Sequence, residues 1–140
     1  MDKQIIDQHK NKSELFGDIA QLLHNQNSYL GVAHAAYYSC YQLLLHIWKH
    51  SMRKDKNELD VNISQSKKNT HTYLLNEVVK YILNTQKKDA FNDSRIVRDK
   101  VPQLKKLRVD ADYSDEIFDS SKSAKSISMS KEILSILRKY

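Results

Sequence analysis

The stretch Ser28 to His50, SYLGVAHAAYYSCYQLLLHIWKH, decides how this chain folds. At helical spacing Ala33, Ala36, Tyr37, Cys40, Leu44 and Ile47 make one apolar stripe, and Tyr38, Tyr41, Leu45 and Trp48 make a second beside it. Ala35, Ser39, Gln42, His46 and Lys49 fall on the narrow strip that remains. The spacing therefore predicts a helix that is apolar nearly all round, with one polar edge, and such a helix must be covered by several others. Its length also matches a bilayer crossing of roughly 20 residues. His34, Gln42 and His46 would then lie in hydrocarbon, so the stretch is read as a soluble core with no membrane partner. Buried Tyr hydroxyls need partners, and Tyr37 with Tyr38 predicts polar groups on the neighbouring helices.

Composition points the same way. The chain has 140 residues, enough for one domain with a sizeable core. With only two Gly and one Pro, it has too few turn formers for a sheet protein. The expected fold is all-α, a compact bundle of about five helices. The single Cys40 sits in the apolar stripe as a small buried hydrophobe, so no disulfide is expected. The start MDKQIIDQHK lacks an apolar leader, and a cytoplasmic location is the expectation.

The net charge of +6 is unevenly spread. Lys87, Lys88, Arg95, Arg98, Lys100, Lys105, Lys106 and Arg108 face only Asp89, Asp93 and Asp99 in the same segment. Asp110, Asp112, Asp115, Glu116 and Asp119 then follow with no basic residue among them. A solvated helix face beside an acidic loop accounts for this pattern, and so does a surface for a polyanion or an acidic partner.

Along the chain, the first helix is expected from Asp2 to His24, with its apolar face convincing from Leu15 onward. Asn25 to Asn27 make a short turn, and Asn27 or Ser28 caps the central helix. Ser51 to Asn69, polar apart from Met52, Leu59, Val61 and Ile63, is expected to be a flexible loop. Thr70 is read as the cap of a helix through Asn84 that buries Tyr73, Leu74, Val78, Tyr81 and Ile82. At Pro102 either a new helix begins or a longer one is kinked, and a new start is the preferred reading. Ser114 to Asp119 is a loop, and one of Ser120, Ser121 or Ser123 caps a last helix with Ala124, Ile127, Ile133, Ile136 and Leu137 inward.

The segment Leu104 to Tyr113, LKKLRVDADY, carries the most chemical information. Val101, Leu104, Arg108 and Ala111 share one helix face, which sets a guanidinium on an apolar stripe. Asp112, four residues on, offers it a partner. Arg108 thus either pins the helix end or waits in a groove for phosphate or another anion, in the fork geometry that suits it.

Taken together, these stretches resemble the HEPN domain, a small all-α family, over nearly the whole chain. His34 to Leu45 resembles the family's A-Y-Y helix, Thr70-His71 resembles the S-H that opens its third helix, and Leu107 to Tyr113 resembles its R-x-x-A-D-Y box. The resemblance implies a homodimer, or pairing with a nucleotidyltransferase-type protein, with the region Arg108 to Tyr113 at or near the interface. It also implies that Tyr113 is the tyrosine to watch for modification by such a partner. Ribonucleases of the family carry Arg followed four to six positions later by His. Here the fifth position after Arg108 is Tyr113, no His follows His71, and Ala35 stands where many members have Arg. Tyr, with an ordinary pKa near 10, is a poor proton shuttle at neutral pH.

Three functional readings follow. The leading one is a non-catalytic HEPN-like interaction module, with Tyr37, Tyr38 and His71 in structural or interface roles. The second is a divergent metal-independent ribonuclease, a toxin or defence effector, built on Arg108, Asp112 and Tyr113. The third is nucleotide or RNA binding without catalysis through Arg95, Arg98, Lys105, Lys106 and Arg108. No cofactor is indicated. His46 and His50 have the i, i+4 spacing of metal ligands but lack the adjoining glutamate, so no metal is expected.

Overall fold

The computed structural model describes residues 8–140, and the expected helical start with Ile5 and Ile6 lies outside them. Six α-helices follow one another: α1 (Gln8–Asn25), α2 (Val32–His46), α3 (Lys56–Ser66), α4 (Thr70–Asn84), α5 (Ala90–Tyr113) and α6 (Ser120–Leu137). A 3-10 turn, Tyr29–Gly31, leads into α2, and a π-turn, Ile47–Ser51, leads out of it. No strand occurs among the described residues. Among the described residues the count is six rather than the expected five, because the segment read as a flexible loop contains α3.

Helix α2 is the axis of the bundle and packs against α1, α4, α5 and α6. Val32, Ala33, Ala36, Tyr37, Cys40, Leu43 and Leu44 are all buried on it, as an all-round apolar helix requires. Burial pushes the Cys40 thiol well above its ordinary pKa, consistent with an inert core residue. The expected polar edge is a correction: Ala35 and Ser39 are buried as well. Ser13 and Ser39 exchange hydrogen bonds with each other's carbonyls, at 2.7 and 2.6 Å, where α1 crosses α2. A Cβ on Gly17 would stand 3.4 Å from the Ser39 hydroxyl, so small residues set this close crossing. Gln42, farther down the edge, accepts through Oε1 from His9 Nδ1 of α1 at 2.8 Å.

Caps define the remaining elements. Asn27 takes the left-handed conformation after α1, while the Ser28 amide reaches back to the Leu23 carbonyl at 2.8 Å and closes the helix. The Asp55 side chain accepts from the Glu58 amide at 2.7 Å and caps α3. Leu59 is buried beneath that helix, and the Trp48 indole donates to the Asp55 carbonyl at 2.9 Å. Asn69, rather than Thr70, caps α4, and Asp119, rather than a serine, caps α6. Ala124 is exposed, whereas Ile127, Ile133, Ile136 and Leu137 face inward as expected.

At Pro102 the chain does not restart: α5 runs unbroken through it. Val97, Val101 and Leu104 are buried at i, i+4 and i+7, and this continuous stripe outweighs the hydrogen bond that proline removes. No described helix is long and apolar enough to cross a membrane.

Candidate functional site

His34, Tyr37, Tyr38 and Tyr41 recur at i, i+3, i+4 and i+7 and so share one face of α2. The first turn of α4 brings His71 to this face, and the second half of α5 brings Lys105, Arg108 and Asp112. The His71 ring stacks on Tyr41, with centroids 4.4 Å apart and planes 19° apart, and lies nearly parallel to Tyr37 at 5.5 Å. The Tyr37 hydroxyl and His71 Nδ1 are hydrogen-bonded to each other. The polar partner expected for a buried tyrosine is therefore this histidine.

Arg108 lies over two aromatic faces, its Cζ 5.7 Å from the Tyr37 centroid and 5.5 Å from that of Tyr38. Its Nε stands 3.8 Å from Asp112 Oδ2, an ion pair too long for a hydrogen bond, so this buried nitrogen has no hydrogen-bond acceptor. On the other side of Asp112, His34 Nδ1 stands 3.7 Å from the same oxygen. The His34 ring also packs on Tyr38 at 4.9 Å.

Electrostatics fix the protonation states here. Partial burial, together with the positive charges of Lys105 and Arg108, lowers the His71 pKa to about 4, so the imidazole is neutral at pH 7. Burial above all raises the Tyr37 hydroxyl well beyond its ordinary value, and Tyr41 shifts in the same direction. A protonated tyrosine hydrogen-bonded to a neutral imidazole is the arrangement both shifts favour. The cluster can hold a cation over aromatic faces, and on its solvent side it offers an imidazole next to a carboxylate.

Of the residues expected at a site, Arg108, Asp112, Tyr37, Tyr38 and His71 meet in one cluster. Tyr113 stands at the end of α5 with its side chain largely in solvent, 78% exposed. Arg95, Arg98 and Lys106 are exposed on the outer arc of α5, whereas Lys105 is half-buried one turn before Arg108 and its charge reaches His71. Two of the outer cations have close neighbours on their own helix, Arg98 with Asp99 at 3.1 Å and Arg95 with Asn92 at 3.0 Å. His46 and His50 stack on each other at 4.9 Å, away from this cluster. Two members escaped sequence reading: His34 and Tyr41. Their signal was their spacing, one turn before and one turn after the Tyr pair.

No family model matches the chain, and no curated protein or solved structure is significantly similar to it.

Proposed function

We propose that this protein is a non-catalytic, HEPN-like helical interaction module that works in an assembly, as a homodimer or paired with a nucleotidyltransferase-type chain. The observation that carries this reading is the way Arg108 is held. It is mostly buried, lies over Tyr37 and Tyr38, and is paired with Asp112, which supports the pinning alternative over the anion-binding one and ties α5 to α2. Beside it the surface is apolar: Leu15, Ile19, Leu22 and Leu30 are each more than 40% exposed. Contiguous apolar surface of this kind marks a place for another macromolecule.

Removing Arg108 distinguishes a pin from a reactive group. Two cation–π contacts of about 0.5–1 kcal/mol each and a weak ion pair predict that Arg108→Ala lowers stability by about 1–2 kcal/mol in urea unfolding. Groups kept for ligands rather than for the fold tend to be neutral or stabilising when removed, so an unchanged or raised midpoint would contradict the pin.

One observation favours the ribonuclease reading instead. The histidine absent from the linear motif has a spatial counterpart in His34, which shares Asp112 with Arg108 and whose side chain is half exposed. A guanidinium and an imidazole side by side suit phosphoryl-transfer chemistry in principle. RNA binding through the outer arc of α5 would show as affinity that falls steeply with salt.

A further inference from the structure

Two hollows, of about 460 and 620 Å³, share Leu23, Leu30 and Gly31, so they form one trough. At one end it meets His34 and Asp112, and at the other Glu116 and Ile117 of the connection between α5 and α6. Its rim is apolar and open: Ile19 is 42% exposed, Leu30 63% and Ile117 84%. Leu15 and Leu22 extend the same face along α1 at i and i+7. A Cβ on Gly31 would come within 2.9 Å of Leu23 Cδ1, so any other residue there would displace that leucine, which lines the trough.

The charge around the trough is opposite to that of the whole. The chain carries 23 Lys and Arg, yet none of them lines either hollow; the charged lining is Asp112 and Glu116. Asp110, Asp115 and Asp119 belong to the same short segment, so its five carboxylates outnumber the two cations paired with it, Arg108 at 3.8 Å from Asp112 and Lys122 at 3.4 Å from Glu116. The surface is thus a row of apolar residues spaced for a helix, with one end acidic. Such a surface complements a segment that is apolar along one side and basic beside it.

We infer that the trough between α1 and the α5–α6 connection takes an amphipathic helix of another protein, one with leucine- or isoleucine-like anchors along one face and lysine or arginine beside them. Anchors at i, i+4 and i+7 fit the apolar row, and the basic flank meets Asp112 and Glu116. This rests on the interaction-module reading and names the chemistry of its partner.

The test uses the full chain and a fluorescein-labelled helical peptide of about 18 residues, some five turns, with Leu at i, i+4, i+7 and i+11 and Lys beside them. One control peptide carries Glu for every Lys, and another keeps the composition but scrambles the spacing. Anisotropy titration is expected to show saturable binding at least tenfold tighter than either control, weakening as salt rises. Binding should fall at least tenfold in Ile19→Glu and in Ile117→Ser, both changes at exposed positions that leave the core intact. Equal binding of the Glu peptide, or binding untouched by both variants, overturns the inference. Sedimentation of the chain alone separates it from the broader reading. A wild-type dimer that Ile19→Glu dissociates would mean that a second copy fills the trough, which overturns the helix partner and leaves the module standing.

Discussion

Arg108 is where the physical argument is sharpest, because a guanidinium on an apolar stripe has to be explained by its neighbours. Those neighbours are two tyrosine faces and one carboxylate, and the residue four positions away was readable from spacing alone. The tyrosines were not, because they come from another helix and sequence spacing carries no information about cross-helix distance. His71 gives the pH prediction at this scale. Its folded pKa of about 4 lies below the ordinary 6.5, so between these values the unfolded chain binds a proton that the folded chain refuses. The stability tied to His71 is complete above pH 6.5 and is lost as pH falls toward 4. In urea midpoints measured across that window, His71→Gln should fall less steeply than wild type. Parallel curves would show that the imidazole is not held neutral.

Among the elements, α2 was legible because its apolar periodicity is strong over its whole length, and α3 was missed because its own is weak. Only Leu59 is buried on α3, and the helix depends on a cap rather than on a stripe. The signal was nonetheless present as Asp55 followed by Glu58, a capping pattern at the head of a polar segment. The polar edge of α2 misled for a different reason. Ser39 reads as solvent-facing in a wheel projection, yet a serine that bonds the carbonyl of a crossing helix can be fully buried. Helix α5 gives the element-scale prediction. Its exposed Pro102 removes the amide that would bond the Arg98 carbonyl and crowds that turn, while packing on either side holds the helix together. Pro102→Ala should therefore raise stability, by up to about 3 kcal/mol, as a higher melting temperature. A lower one would mean that the proline's distortion is needed for α5 to seat on α2 and α4.

For the whole molecule, what matters is how charge and apolar surface are distributed rather than how much of either there is. A net charge of +6 suggests a polyanion partner, but Arg95, Arg98 and Lys106 lie on the outer arc of α5, Arg108 is turned inward and paired with Asp112, and the trough next to Asp112 is lined by apolar and acidic residues. That separation was half visible in the sequence, as the switch from basic to acidic residues after Arg108. The apolar row on α1 that completes it became meaningful only once α2 left that face uncovered. The central claim is that the Arg108 cluster joins helices and does not cut RNA. The most direct test is incubation of structured and unstructured RNA with wild type, Arg108→Ala and His34→Ala, in chelator and at equal protein concentration. The account predicts that none of the three cleaves. Cleavage by wild type that disappears in both variants would contradict it and make Arg108 and His34 the reactive pair of a ribonuclease.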